Sequence, residues 1–138
     1  MTDDPAPRPA TDLHFGHAEL DSQHQQLLGL LATFNALARH PQVTDALHDA
    51  YHELMNYVFH HFALEEDWLA RHGYPALQAH QESHRLILIA LTQMAEELMQ
   101  PDTDARALVR RLQAMAQEHL DGPDHDCAQF LQQRPAVH

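Results

Sequence analysis

The sequence predicts an all-α protein: an antiparallel up-down-up-down four-helix bundle with an irregular N-terminal arm. Three observations predict it. The 138 residues include only 4 glycines and 7 % aromatics, a poor composition for a barrel or sandwich. Leu, Ala, Gln and Glu dominate, and all four favour helix. Four segments of about fifteen residues or more carry apolar side chains at helical spacing, and short connections between them imply antiparallel neighbours.

The elements follow in order. Residues 1–16 hold three prolines and few apolar residues, and read as the arm. The bundle is expected over 17–133, with 134–138 as a C-terminal tail. The first helix runs from about Glu19 to Arg39. Its stripe is Leu20, Leu27, Leu28, Leu31, Phe34 and Ala38, with His24 on it. Pro41 ends it, because the residue before a proline avoids helical angles. The second runs from about Thr44, a plausible N-cap, to Arg71. Its stripe is Leu47, Tyr51, Leu54 and Val58, continued by His61, Glu65 and Trp68. Gly73 supplies the stop. The third begins just after Pro75. Its stripe is Leu77, His80, His84, Ile87, Leu88, Leu91, Ala95 and Leu98, and it stops before Pro101. The fourth runs from about Asp104 to Leu120 with Leu108, Leu112, Met115 and His119 inward. Gly122-Pro123 is expected to break it, and Asp126 to Gln133 to form a last turn or two.

Charge narrows the function classes. There are 20 acidic residues against 8 basic ones, all arginine, for a net charge of −12. That argues against nucleic acid and against anionic membrane surfaces. No apolar run approaches the roughly 18 residues that span a bilayer. The start, MTDDPAPRPATD, lacks the basic and apolar regions of a secretory signal. The lone Cys127 has no intrachain partner, which fits a reducing compartment. A cytoplasmic protein is expected.

Histidine is the outlier, at 14 residues spread from His14 to His138. What matters is which of them face inward. The polar residues on the four stripes are His24, His61, Glu65, His80, His84 and His119. Positions four apart share a helix face, so His61 converges with Glu65 and His80 with His84. Asp124 lies five beyond His119, too far round for a regular helix. A turn at Gly122-Pro123 would bring it to the same point. One histidine on an apolar face is usually a hydrogen-bonded core residue. Several imidazoles and two carboxylates buried together cost many kcal/mol unless paired or bound to metal. Seven ligands exceed one tetrahedral zinc and suit two six-coordinate ions bridged by Glu65 and Asp124. An imidazole-rich set leans towards iron over manganese.

Five motifs carry a resemblance: LDSQH at 20–24, HFALEE at 61–66, GYP at 73–75, HQESH at 80–84 and HLDGPD at 119–124. Over about Phe15 to Leu131 the sequence resembles the hemerythrins, especially the bacterial single-domain hemerythrins. The resemblance implies a non-haem di-iron centre that binds dioxygen, for oxygen storage, delivery or buffering. His80, His84 and His119 would hold one iron, and His24 and His61 the other. Glu65 and Asp124 would bridge, with an oxo or hydroxo group as third bridge. Dioxygen would bind at the two-histidine iron. Ferritin-like oxidases instead use paired Glu-x-x-His motifs, and none occurs here. The alternative uses of the same site are sensing of oxygen, redox state or nitric oxide, and turnover of peroxide or nitric oxide. The complete seven-ligand set and a stand-alone domain favour oxygen binding, since sensors of this family are usually fused to signalling domains.

Neighbouring residues are weighed individually. His61 is preferred to His60 as ligand because it shares the stripe with Glu65. Glu66 reads as a supporting or solvated carboxylate, and Tyr57 as a core aromatic or a hydroxyl facing the site. Asp21 would orient His24 or serve as a helix N-terminal charge. His17 stands where the family usually has an apolar residue, and reads as a surface histidine or a group at the oxygen entrance. The family's arm tryptophan is missing, with Leu13-His14-Phe15 in its neighbourhood. Cys127 stands where the family often has tyrosine, and reads as a small buried filler. His14, His40, His48, His52, His72, His125 and His138 read as exposed.

Overall fold

A computed structural model describes residues 18–39 and 42–133. The arm with His14 and Phe15, and also His17, His40, Pro41 and the 134–138 tail, lie outside the described residues. Five α-helices follow in order: α1 Ala18–Leu37, α2 Asp45–Arg71, α3 Leu77–Leu98, α4 Ala105–His119 and α5 His125–Gln133. The first four form the antiparallel bundle. α1 packs on α2, α2 on α3, α3 on α4, and α4 closes the ring on α1.

Local chemistry sets the ends. Thr44 caps α2 by accepting from the Leu47 N–H at 3.1 Å, and Asp104 caps α4 by accepting from Arg106 and Ala107. Gly73 sits at φ 65°, where a side chain would be strained, so the chain leaves α2 in a tight turn. The Tyr74 N–H closes that turn on Leu69 O at 3.1 Å.

The core is layered along the bundle axis. A large apolar cluster includes Phe34, Leu47, Tyr51, Leu54, Val58, Phe62, Leu91, Met94, Leu108 and Leu112. The Tyr51 hydroxyl crosses it to donate to Leu91 O at 2.7 Å, tying α2 to α3. A smaller cluster of Leu20, Leu69, Tyr74, Cys127 and Ala128 occupies the other end. Seven buried polar residues fill the layer between them.

The structure corrects several expectations. Gly122-Pro123 does not break the chain. Leu120–Asp124 forms a π-helical turn that runs directly into α5, which starts one residue before the expected Asp126–Gln133 segment. Pro123 has no N–H and would clash with the carbonyl four residues back, so the wider turn accommodates it. Trp68 is only half-buried, against the His72 ring, while Leu69 takes the inward position. Phe62 and Met94 are buried although the stripes omitted them. His48, His72 and His125 are half-buried rather than exposed. No described helix is long and apolar enough to cross a membrane.

Candidate metal centre

Each bundle helix contributes to the middle layer. α1 brings His24, α2 His61 and Glu65, α3 His80 and His84, and α4 His119. The π-helical turn brings Asp124. All seven expected residues are buried, with none more than 7 % exposed. The widened turn explains Asp124. Five residues make about one π turn, so a side chain five beyond His119 returns to the same face.

The carboxylate oxygens divide the histidines into two sets. Glu65 Oε1 lies 2.6 Å from His80 Nε2 and 3.2 Å from His84 Nε2. Glu65 Oε2 lies 3.2 Å from His24 Nε2 and 3.1 Å from His61 Nε2. Asp124 repeats the division. Its Oδ1 lies 3.1 Å from His119 Nε2 and 3.4 Å from His80 Nε2, and its Oδ2 3.8 Å from His24 Nε2. Each carboxylate therefore turns one oxygen to a three-histidine set and the other to a two-histidine set. Two groupings could each hold an ion: Glu65, His80, His84, His119 and Asp124, and separately His24, His61 and Glu65.

The donor set fits metal. His84 Nε2, His119 Nε2, Glu65 Oε2 and Asp124 Oδ1 are buried without a hydrogen bond. Each such orphan costs about 1–3 kcal/mol or more in a protein interior, and all of them face this layer. A bound cation would satisfy them together.

Electrostatics point the same way. Burial pushes the Glu65 carboxyl up, but the imidazoles of His24, His61, His80 and His84 outweigh it and hold the group well below the carboxylate range. Burial pulls His24 and His80 down. The Glu65 and Asp124 carboxylates outweigh it and leave both raised above the ordinary 6.5, with Asp21 adding to the effect at His24. The layer therefore attracts positive charge.

Outer partners aim the rings. Gln23 Oε1 lies 2.8 Å from His61 Nδ1, Glu66 Oε2 2.7 Å from His84 Nδ1, and Ser83 Oγ 2.9 Å from His119 Nδ1. Such contacts fix a ring's orientation and leave Nε2 facing inward. His80 differs, because its Nδ1 meets Cys127 Sγ at 3.1 Å. Cys127 is thus both a buried filler and a sulfur partner. Phe62 stacks on the His84 ring at 3.6 Å and 6°. Sequence reasoning missed Gln23, Ser83 and Phe62. The available signal was position: Gln23 and Ser83 each precede a site histidine and face the next helix. Tyr57 turns its hydroxyl to Gln26 Oε1 at 3.1 Å. His60 is exposed, one position off the stripe.

An apolar cavity of about 60 Å³ adjoins the layer. Leu28, Leu31, Val58, Leu91, Leu112 and Met115 are among its walls, and His24, His61, His119 and Asp124 line it too.

The family model for the hemerythrin HHE cation-binding domain matches residues 16–131. This chain belongs to the hemerythrin family. A bacteriohemerythrin from Stenotrophomonas maltophilia (strain R551-3) is 29 % identical over 77 residues, which cover 56 % of this chain and 50 % of that protein. The match thus spans about half the length of that relative. The crystal structure of wild-type hemerythrin superposes with a TM-score of 0.77 at 17 % identity, covering 89 % of this chain and 95 % of that one. A hemerythrin point mutant superposes equally well, at 0.77 and 17 %, covering 89 % and 94 %. At that identity the structural likeness carries the fold. The hemerythrin fold and its metal-binding His/Glu/Asp cluster are therefore both present here.

Proposed function

We propose that the protein binds dioxygen reversibly at a non-haem di-iron centre, for oxygen storage, delivery or buffering. In this reading His80, His84 and His119 hold one iron, His24 and His61 the other, and Glu65 and Asp124 bridge them beside an oxo or hydroxo group. The supporting observation is the division of both carboxylates between a three-histidine and a two-histidine set, with an apolar cavity that reaches His24 and His61 as well as His119 and Asp124. When bound, such a pair of irons supplies two electrons to dioxygen and takes them back. The chain's own residues do the rest. The imidazoles keep the centre less negative than a carboxylate-rich set would. Gln23, Glu66 and Ser83 hold the rings in register. Leu28, Leu31, Val58 and Leu91 keep water from the side that a small apolar ligand would approach.

The alternatives, a sensor of oxygen, redox state or nitric oxide, or an enzyme acting on peroxide or nitric oxide, use the same residues. The Tyr57 hydroxyl, which could have faced the site, donates to Gln26 instead.

The test is metal content together with a visible spectrum. About two irons per chain are expected from the ligand count. Absorption that appears in air and vanishes when oxygen is removed supports reversible binding. Irreversible oxidation would exclude carriage, and a chain that takes up no iron would exclude the centre. His61→Ala should lose that absorption and at least half of the iron. His60→Ala, one position away, should keep both.

Acid should empty the centre. His24 and His80 are raised above 6.5, so protons compete with metal at and above that pH. Binding must release those protons. Affinity for ferrous iron should rise with pH across this window and fall on acidification. Anaerobic titrations at about pH 6, 7 and 8 measure this, and a flat profile would contradict it.

A further inference from the structure

The histidines outside the buried layer include one pair with the same spacing as His80 and His84. His48 and His52 lie four apart near the start of α2, on one face. Their rings are 5.5 Å apart at 35°, against 4.4 Å for His80 and His84. Among the described residues neither imidazole makes a hydrogen bond or an ion pair, so their ring nitrogens remain available. His52 is exposed. His48 is half-buried in a shallow groove beside Val43, Leu98 and Met99. That packing restrains one partner, while rotation of the exposed one can close the remaining gap.

We propose that His48 and His52 form a second, solvent-facing site that chelates one divalent transition-metal ion of the copper, nickel and zinc class. Two neutral imidazoles are borderline donors. They favour these ions in the order copper above nickel and zinc, and they do not suit calcium or magnesium, which require oxygen ligands. Water completes the coordination shell. Asp45 lies three residues before His48 on the same face, in the first turn of α2, and the chain carries a net charge of −12. Both favour a cation there. His52 is nine residues from His61, about 14 Å along the helix axis, so the site is separate from the interior layer. A clamp across this turn also holds the start of α2 in helical geometry, so binding stabilises the folded chain. The proposal is independent of which metal or gas the interior centre uses.

The test uses the full iron-loaded chain. Copper(II) or zinc(II) is titrated calorimetrically while the visible spectrum monitors the interior iron. Wild-type protein should show one site beyond the iron, and its copper(II) paramagnetic spectrum should carry couplings to two nitrogens. His48→Ala and His52→Ala should each weaken that site at least tenfold, leaving helicity and the iron spectrum unchanged. The double change His52→Ala/Glu53→His keeps the number of histidines but moves the second ring off the face. It should weaken binding as much as His52→Ala alone. Unaltered affinity in His52→Ala, or full affinity in the respaced variant, would overturn the proposal. Such results would assign the extra metal to scattered surface histidines.

Discussion

Glu65→Ala is expected to cost the centre more than half of its metal. Glu65 is the residue on which both histidine sets converge, with four imidazole nitrogens within 3.2 Å of its two oxygens. In the proposed di-iron centre, removing the carboxylate would take a ligand from each ion at once and leave the pair without one of its two shared bridges. Iron content should drop from about two per chain to below one, and the oxygen-dependent absorption should disappear. The metal-free chain should suffer as well. Glu65 is fully buried, and its charge offsets the positive charge that His24 and His80 attract. Taking away one partner of a buried charged cluster costs about 3–5 kcal/mol. Denaturant unfolding of metal-free wild type and variant measures that loss. Glu65→Gln keeps the volume and separates the two causes. It should retain more of the metal-free stability yet fail to hold two irons, because an amide bridges cations poorly. A Glu65→Ala protein with two irons and wild-type absorption would refute the bridging role.

The residues that faced inward were legible because two periodicities coincided. On every bundle helix the polar site positions continue the apolar stripe, so register alone separated His61 from His60. Caps were legible for the same local reason, as Thr44 and Asp104 show. Side-to-side relations were not. Trp68 and Leu69 are adjacent, and both suit an interior; only the position of α5 decides that Leu69 faces Leu20 and Ala128. His48, His72 and His125 were read as exposed because nothing local says what covers a flank. His72, for one, is half covered by Trp68.

The outer partners show the limit most clearly. Gln23 on α1 supports His61 on α2, Glu66 on α2 supports His84 on α3, and Ser83 on α3 supports His119 on α4. Each sits beside a site residue in the chain and is rotated about 100° from it, towards the next helix. The relay runs from α1 to α4 in chain order, across three of the four helix interfaces. A single sequence contains the residues of that pattern but not the helix neighbours that give it meaning. The same holds for Cys127, which reaches His80 only because α4 continues through the π turn into α5.

Asp124→Ala should lose metal for the same reason as Glu65→Ala, and Pro123→Ala should lose part of it without touching a site residue. In a regular helix a residue five positions on is turned about 140° from its starting face. Asp124 reaches the centre only because Leu120–Asp124 adopts the wider π turn, in which the His125 N–H bonds back to Leu120 O. Pro123 enforces that choice. It has no N–H to give to the His119 carbonyl, and its ring crowds that carbonyl in α geometry. Alanine at this position removes both obstacles, so the α-helical turn becomes a competitor that swings Asp124 away from His119 and His24. Metal binding must then be strong enough to restore the wide turn. Affinity should fall about 10–100-fold, the range seen when a group that orients a ligand is lost. Asp124→Ala should fall further, because no conformation restores its oxygens. Competitive chelator titrations rank the three proteins: wild type, then Pro123→Ala, then Asp124→Ala. If Pro123→Ala holds metal as tightly as wild type, the π turn is fixed by packing of Cys127 and Ala128 in the small apolar cluster, and proline is incidental to it.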